Sequence, residues 1–498
     1  MRRTPIAVLR WTGLAAVAAA VSTACYNFNL TDPNGPTLGS VVNNPSRATI
    51  SAAATGLFAA SRSDIEGFIW RVGSMGREGI NLSGNNQPDY SEPYFGPLSN
   101  TQFGGSSWGA EYVAIRDANI IIDGAPKAAD LSANERALAM AFAQTQKALM
   151  FLYVITTRRN LGAPVDVDRA ATAPPGPWVN EDGVYASIIA TLDSARTNIA
   201  AGGSASFPFP MAQGYANFST PATFEQLIWA LEAKALCFRA TAQYDTGGGG
   251  TAGSAAGYYT AALTALDSSF LVASAGVFAN GAYFDFSSAP GDQQNGLSDP
   301  LGGATFFADT FNFTDAQTQT GGALDARVTT KIVPATVTQI LGGIPIQGTE
   351  KFSIYLNNLA VNTTAEIPII KDEELVLLRA EAEIGTGASG LAVTDLNLVR
   401  VGSGHLPGYT GATTVPALTT ELIYNRRYSL LWEQGSRWID ARRFNPQFGT
   451  LSAIEGGWNP ASYPALPPPA VPPRMPIPSP ECQARGLGAV CNPLNTPP

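Results

Sequence analysis

Histidine is almost missing from this chain: His405 is the single one among 498 residues. That excludes catalysis or metal binding built on clustered imidazoles. Charge is scarce too, at 14% of residues, and its balance is acidic, with 30 Lys and Arg against 39 Asp and Glu. No basic stripe offsets phosphate repulsion, so no nucleic-acid partner is expected. Cysteine is limited to four residues, none spaced as in a zinc site. An H-E-x-x-H helix and a P-loop are also absent, and neither a metal nor a cofactor is expected. Carboxylate pairs do occur, Glu373/Glu374 and Glu381/Glu383. They fall on a helix whose Leu375, Leu377 and Leu378 face a core, so they read as solvated or ion-paired side chains.

What is present begins with a leader. "MRRTPIAVLR" is a positive n-region, "WTGLAAVAAAV" an apolar run too short to span a bilayer, and "STAC" puts small residues before Cys25. Residues 1–24 are expected to be removed, leaving a more acidic chain without Arg2, Arg3 and Arg10. The cysteine at the boundary looks like a bacterial lipobox, with Ser22 where leucine is usual. Plain secretion is the alternative. The lipid-anchored reading is favoured because "YNFNLTDPNGPT" resembles a tether (residues 25–44) rather than a helix start. Of the other cysteines, Cys237 lies in an apolar helical pattern and reads as buried and inert. Cys482 and Cys491 suit a local disulfide in an oxidising compartment.

From residue 45 to 270 the pattern is helical. A capping box at Ser132 to Glu135 opens the run "RALAMAFAQTQKALMFLYVITTRR", and "TFEQ" at Thr223 reads as another. A further helix is expected over Val184 to Ile199. Such amphipathic pairs, rich in alanine, resemble tetratricopeptide-type hairpins. From 271 to about 360 no helical period survives, and long irregular loops are expected. Helices return near 371–400 and 419–444. The tail after Gly456 holds over a third of the 36 prolines and should run extended over the surface. The fold class is therefore mainly α: a tetratricopeptide-like hairpin scaffold (45–270), then a loop-rich region (271–498) with a Pro-rich C-terminal tail.

One stretch concentrates the scarce charge. "IYNRRYSLLWEQGSRWIDARRF" (423–444) sets five arginines, Glu433 and Asp440 around two tryptophans. Ile423, Leu430 and Leu431 face inward with Tyr424, and Arg426 and Arg427 reach toward carboxylates. Glu433, Arg437, Asp440 and Arg443 fall at spacings that let them pair within the element. The reading is a structural clasp, two helices about the Gly435 break that hold the C-terminal part to the core.

This clasp resembles the C-terminal signature of the SusD/RagB outer-membrane lipoproteins, roughly E-R-x-x-E-L-x-x-E-G-x-R-W-x-D-L-x-R. Asn425 and Ser429 replace glutamates there, and "EQGSR" is one residue longer. "EIPIIKDEELVLLRAEAEIG" with "DLNLVR", "WGAEYVAIRDANIII" with the long helical run, and "RMPIPSPECQ" agree with further family motifs in the right order. The resemblance covers nearly the whole chain beyond the leader. It implies four tetratricopeptide-like hairpins, no catalysis, and a surface lipoprotein anchored through Cys25. Such proteins lid a SusC-type TonB-dependent outer-membrane transporter and bind a nutrient, usually a glycan and in some branches a peptide.

For such a ligand, aromatic residues in loops are the expected platforms, with amides and carboxylates fixing orientation. "NNQPDYSEPYF" offers Tyr90, Tyr94 and Phe95 with Asn85, Asn86 and Asp89. "AYFDF" offers Tyr283 and Phe284, the tail offers Trp458, and the phenylalanines of "FFADTFNF" stand in reserve. Trp108 and Tyr112 read as helix packing because they share a face with Ile115. Two other classes remain open: a surface glycoside hydrolase, which would release new reducing ends, and a helical scaffold that binds a barrel but no ligand.

Overall fold

The computed structural model describes residues 42–83, 88–95, 97–170, 172–245, 252–341, 344–445, 471–488 and 491. Cys25, Asn85, Asn86 and Trp458 lie outside them. The first helix, α1 (Arg47–Arg62), starts where Ser46 Oγ accepts from the Thr49 N–H at 3.2 Å. Helix α2 (Ile65–Met75), the short α3 (Pro88–Phe95) and α4 (Gly109–Gly124) follow. Helix α5 (Ala133–Arg158) opens with the expected capping box: the Glu135 N–H donates to Ser132 Oγ at 3.2 Å and the Ser132 N–H to Glu135 Oε2 at 2.9 Å. With its short extension to Leu161, α5 is long and apolar enough to cross a membrane, but most of its apolar surface is buried inside the protein.

Helix α6 (Glu181–Gly202) overruns the expected span at both ends. Helix α7 (Pro221–Asp245) begins earlier than expected. Its cap is Thr220, whose Oγ1 accepts from the Thr223 N–H at 3.3 Å, so the box at Thr223 is displaced by one turn. After α8 (Ala252–Asp267) the stack continues from α1 through α4, α5, α6, α7 and α8, each packed on the next. Small residues permit the close approach. A Cβ on Gly202 would come 2.2 Å from Leu138 Cδ2, which ties α6 to α5.

The region from 271 to 360 is less irregular than its composition suggests. Strands β1 (Gly79–Asn81), β2 (Ala163–Pro164) and β3 (Trp178–Val179) belong to the helical half, and β2 pairs with β3. Strands β4 (Gly281–Phe284) and β5 (Phe306–Ala308) lie in the loop-rich part, where β5 returns to pair with β1. Then β6 (Ile332–Leu341) and β7 (Ile344–Phe352) form a long antiparallel hairpin with a register shift between Pro334 and Val337. The expectation of loop is corrected here. Valine, isoleucine and threonine at alternate positions make a strand, and the flanking glycine and proline disguise it. Helices α9 (Phe311–Thr314) and α10 (Ala326–Lys331) precede the hairpin, and strands β8 (Leu356–Asn357) and β9 (Ala360–Val361) follow it. Strand β10 (Ile367–Lys371), paired with β4, leads into α11 (Asp372–Thr386), which extends the stack from α8.

Helices α12 (Ser389–Gly402) and α13 (Val415–Ser429) pack on α11 and on each other, and α14 (Ser436–Arg443) closes the clasp. The turn between α13 and α14 is set by Gly435 at φ +62°, where a Cβ would lie 2.4 Å from Val72 Cβ. Helix α2 yields in turn: Cβ atoms on Gly73 and Gly76 would strike the Trp432 ring and the Trp438 backbone, at 2.6 and 2.8 Å. Both tryptophans are fully buried. The described part of the tail does not lie over the surface as expected. Met475 and Ile477 are fully buried, the Met475 N–H donates to Thr157 O at 3.0 Å, and Ser479–Ala484 forms a short helix, α15. One apolar core runs from Ile50 to Cys491.

Candidate functional site

The scarce charge gathers in the clasp. Asp440 accepts from Arg426 Nε at 2.6 Å and from Arg443 Nη1 at 2.9 Å, and Arg443 also pairs with Glu381. Arg427 reaches Asp315 at 2.8 Å. Two expected pairings within the element are replaced by distant ones. Glu433 bonds Lys331 at 2.9 Å and Lys371 at 2.7 Å, and Arg437 donates to Arg77 O at 2.8 Å. Burial acts to raise the Glu433 carboxyl, but the two lysines outweigh it and hold it below its ordinary range. Burial, then neighbouring Arg427, pulls Arg437 down to about 9. The carboxylate pairs, expected to be solvated or ion-paired, are buried, and Glu374 is ion-paired to Lys234 at 2.9 Å while Glu373 accepts from Ser429 Oγ at 2.7 Å. Every one of these groups has a structural partner; the clasp borders two cavities, one of about 20 Å³ beside Arg426 and Glu433 and one of about 240 Å³ beside Arg443 and Phe444.

A larger concavity lies elsewhere. A cleft of about 580 Å³ is formed by the 100–109 loop and the start of α4, the stretch from Pro164 to Gly176, and α15. The turn into α4 has no side-chain cap. Buried Arg158 holds it instead, donating to Ser106 O at 2.8 Å and Ser107 O at 2.6 Å, with its guanidinium 5.1 Å from the Trp108 ring. Burial draws the Arg158 pKa down to about 10. Trp108 stacks on Trp178 at 6.0 Å and 12°, and Arg485 covers Trp178 at 5.0 Å. Tyr112 fixes the next wall, its hydroxyl donating to Pro164 O at 2.9 Å. The third wall is pinned by the Cys482–Cys491 disulfide, Cα–Cα 4.7 Å, and by the Ser479 N–H on Asn100 O at 2.9 Å. Gly109 and Gln102 stand exposed at the rim. Apolar rings and prolines with amides and guanidiniums around them suit the faces and edges of a polar ligand.

The run Gly105 to Gly109 also has the G-x-S-x-G spacing of a hydrolase nucleophile turn, and Ser107 has φ +50°. However, Ser107 is buried and its hydroxyl accepts from Arg71 Nη1 at 3.2 Å. Among the described residues it makes no bond to a general base. Among the described residues no group of three or more His, Cys, Asp or Glu is placed to hold a metal ion.

The chain matches no family model and no curated protein. Solved structures do resemble it. A SusD-like carbohydrate binding protein from Bacteroides fragilis aligns at TM-score 0.64 and 14% identity, covering 90% of this chain and 99% of its own. A SusD superfamily protein from Bacteroides vulgatus aligns at 0.63 and 14%, covering 89% and 98%. B. fragilis NanU aligns at 0.60 and 15%, covering 92% and 98%. The fold is SusD-like.

Within this SusD-like frame the aromatics expected to be platforms sit differently. Tyr90 and Tyr94 are on helix α3, not in a loop, and both are buried. Arg77 lies 4.3 Å from the Tyr94 ring centre, and the Tyr94 hydroxyl donates to Gly79 O at 2.7 Å. Asp89 accepts from Asn81 Nδ2 at 3.2 Å. Phe95 ends the same helix. Phe284 is closed in the core, and half-buried Tyr283 spends its hydroxyl on Ala279 O. Of the reserve, Phe306 and Phe307 are buried and Phe311 and Phe313 half-buried. Tyr94 and Phe284 offer no free ring face, because buried cations and strand pairing absorb them. Trp108 and Tyr112, read as packing, do pack, and they also line the cleft.

Behind the cleft, Glu111 on α4 is buried and its Oε2 has no hydrogen-bond partner among the described residues. Burial and then nearby Asp64 raise its pKa to about 8. The native state thus keeps a proton that an unfolded glutamate releases above about pH 4.3. Stability must therefore fall as pH rises from that value to about 8. Glu383 and Glu232, each raised to about 7, act in the same direction. The melting temperature should drop between pH 5 and 8, and Glu111→Gln should flatten part of that drop. Parallel curves for the two proteins would refute the assignment.

Proposed function

We propose that the protein binds a nutrient glycan or oligosaccharide in this cleft and catalyses nothing. It acts as a lipid-anchored subunit on the outer-membrane surface that passes ligand to a SusC-type TonB-dependent transporter. The observation that carries the reading is the cleft itself, an open aromatic and proline-lined concavity on a SusD-like scaffold. Naming of the B. fragilis neighbour as a carbohydrate binding protein points the same way. The sequence-based candidates Asn85, Asn86 and Trp458 remain part of the proposal as additional contacts, and the anchor remains Cys25.

The test is calorimetry of the purified protein against polysaccharides, oligosaccharides and peptides, with an assay for new reducing ends. Binding of a glycan without new ends is the expected result. Release of new ends would make the protein a hydrolase, and no binding at all would make it a scaffold. For the anchor, Cys25→Ala should abolish labelling by a fatty-acid analogue and release the protein from membranes. An unlabelled parent that still sediments with membranes would sink the lipoprotein reading.

A further inference from the structure

Two arginines in this acidic chain face the cleft, Arg169 and Arg485, and neither is fully used. Arg485 donates Nε to Glu481 Oε1 at 2.6 Å and Nη1 to Gly176 O at 2.9 Å. Arg169 donates Nε to Pro174 O at 3.1 Å and Nη1 to Asp166 Oδ2 at 2.6 Å. In each guanidinium the second terminal nitrogen, Nη2, has no partner among the described residues. Their side chains are 12% and 33% exposed, so both remain open to a ligand in the cleft.

The two side chains converge on one residue. The Gly176 carbonyl takes Arg485, while a Cβ on Gly176 would lie 3.6 Å from Arg169 Cδ and 1.9 Å from Asp166 O. Only glycine fits against the Asp166 carbonyl, and backbone carbonyls orient both forks before any ligand arrives. Such pre-set donors lose little entropy on binding. Glu481 and Asp166 already balance the two charges, so long-range attraction is weak. What remains is directional: two charged N–H donors at short range. A hydroxyl can accept from them, but an anionic oxygen adds the attraction of opposite charges and the geometric match of a carboxylate to planar donors.

Resting on the reading of the cleft as the binding site, we propose that its ligand is an acidic glycan. A sugar carboxylate would accept from the Nη2 groups of Arg169 and Arg485, while half-buried Tyr112 offers the wall for a ring face. Two planar donors match the two oxygens of a carboxylate.

The experiment is a titration of matched pairs: oligogalacturonides, oligoglucuronides and sialylated oligosaccharides, each against its carboxyl-reduced or desialylated counterpart. An acidic peptide and a sulfated oligosaccharide are run alongside. At least one acidic glycan should bind tenfold or more tightly than its neutral partner. Arg169→Gln should erase that preference, and Arg169→Lys should keep part of it. Arg485→Gln should act likewise wherever its melting temperature holds. Gly109→Trp, which fills the cleft, should abolish binding of both members of the pair. Neutral glycans that bind equally well, are blocked by Gly109→Trp and ignore the arginines would overturn this inference while leaving the cleft reading intact. Acidic binding that survives Gly109→Trp, or no glycan binding at all, would overturn both. Arginine-dependent capture of only the peptide or only the sulfated sugar would also refute the proposal.

Discussion

Asp440→Ala should lower stability by about 3–5 kcal/mol, because it strands two buried cations. Arg426 and Arg443 both aim a nitrogen at its carboxylate, at 2.6 and 2.9 Å, and both are almost fully buried. Arg443 keeps Glu381, Thr241 Oγ1 and Cys237 O, so it is partly compensated. Among the described residues Arg426 makes no second ion pair and its Nη1 is unsatisfied, so only the longer-range attraction of Glu381 and Glu374 remains. The larger part of the loss should therefore come from Arg426. Asp440→Asn, which preserves shape but not charge, should fall between parent and alanine. The denaturation midpoint in urea is the readout. An alanine variant that melts like the parent would mean that the clasp does not hold the C-terminal part to the core.

Trp432→Ala should cost about as much, about 3–5 kcal/mol, through a cavity rather than a stranded charge. The ring is completely buried, stacks on Phe352 at 4.1 Å and 11°, and meets Phe306 edge-on at 5.9 Å. Glycine at position 73 leaves the space that it fills. Its backbone is also committed: the N–H donates to Glu78 Oε2 at 2.9 Å and the carbonyl accepts from the Tyr355 hydroxyl at 3.0 Å. Removing the ring opens a void where α2, the clasp and the end of β7 meet, and those elements cannot collapse together without moving the Glu78 bonds. Trp432→Phe should recover part of the loss. A change below about 1 kcal/mol for alanine would show that the site repacks freely.

Periodicity and capping residues made most of the scaffold legible. Ser132 and Glu135 marked the start of α5, and apolar spacing marked α11 and α13. The clasp was legible as a clasp because charge there stands against an uncharged background. Its partners were not. Glu433 finds Lys331 and Lys371 from elements remote in the chain, and no local spacing rule reaches them. The cleft was hidden for the same reason, since its walls come from three separated stretches. Signals existed in "PPGPWVN" and "PIPSPE", where prolines flank Trp178 and Glu481, but each reads alone as tail or loop. The rule that aromatics among polar residues are exposed failed at Tyr94, because a fully buried arginine, Arg77, covers its ring. A buried cation over a tyrosine leaves no trace in composition.

The measurement that bears most directly on the cleft as a ligand site is titration of the Gly109→Trp variant beside the parent. Gly109 is exposed, lines the cleft and has open space where a Cβ would go, so a side chain can start there without meeting a neighbour. Glycine near a helix start is also easily replaced, so folding should be unharmed or slightly improved. With whichever glycan the parent binds, the variant should show affinity reduced at least a hundredfold at an unchanged melting temperature. An equally stable variant that binds that glycan as the parent does would contradict the account, and the ligand site would have to lie outside this cleft.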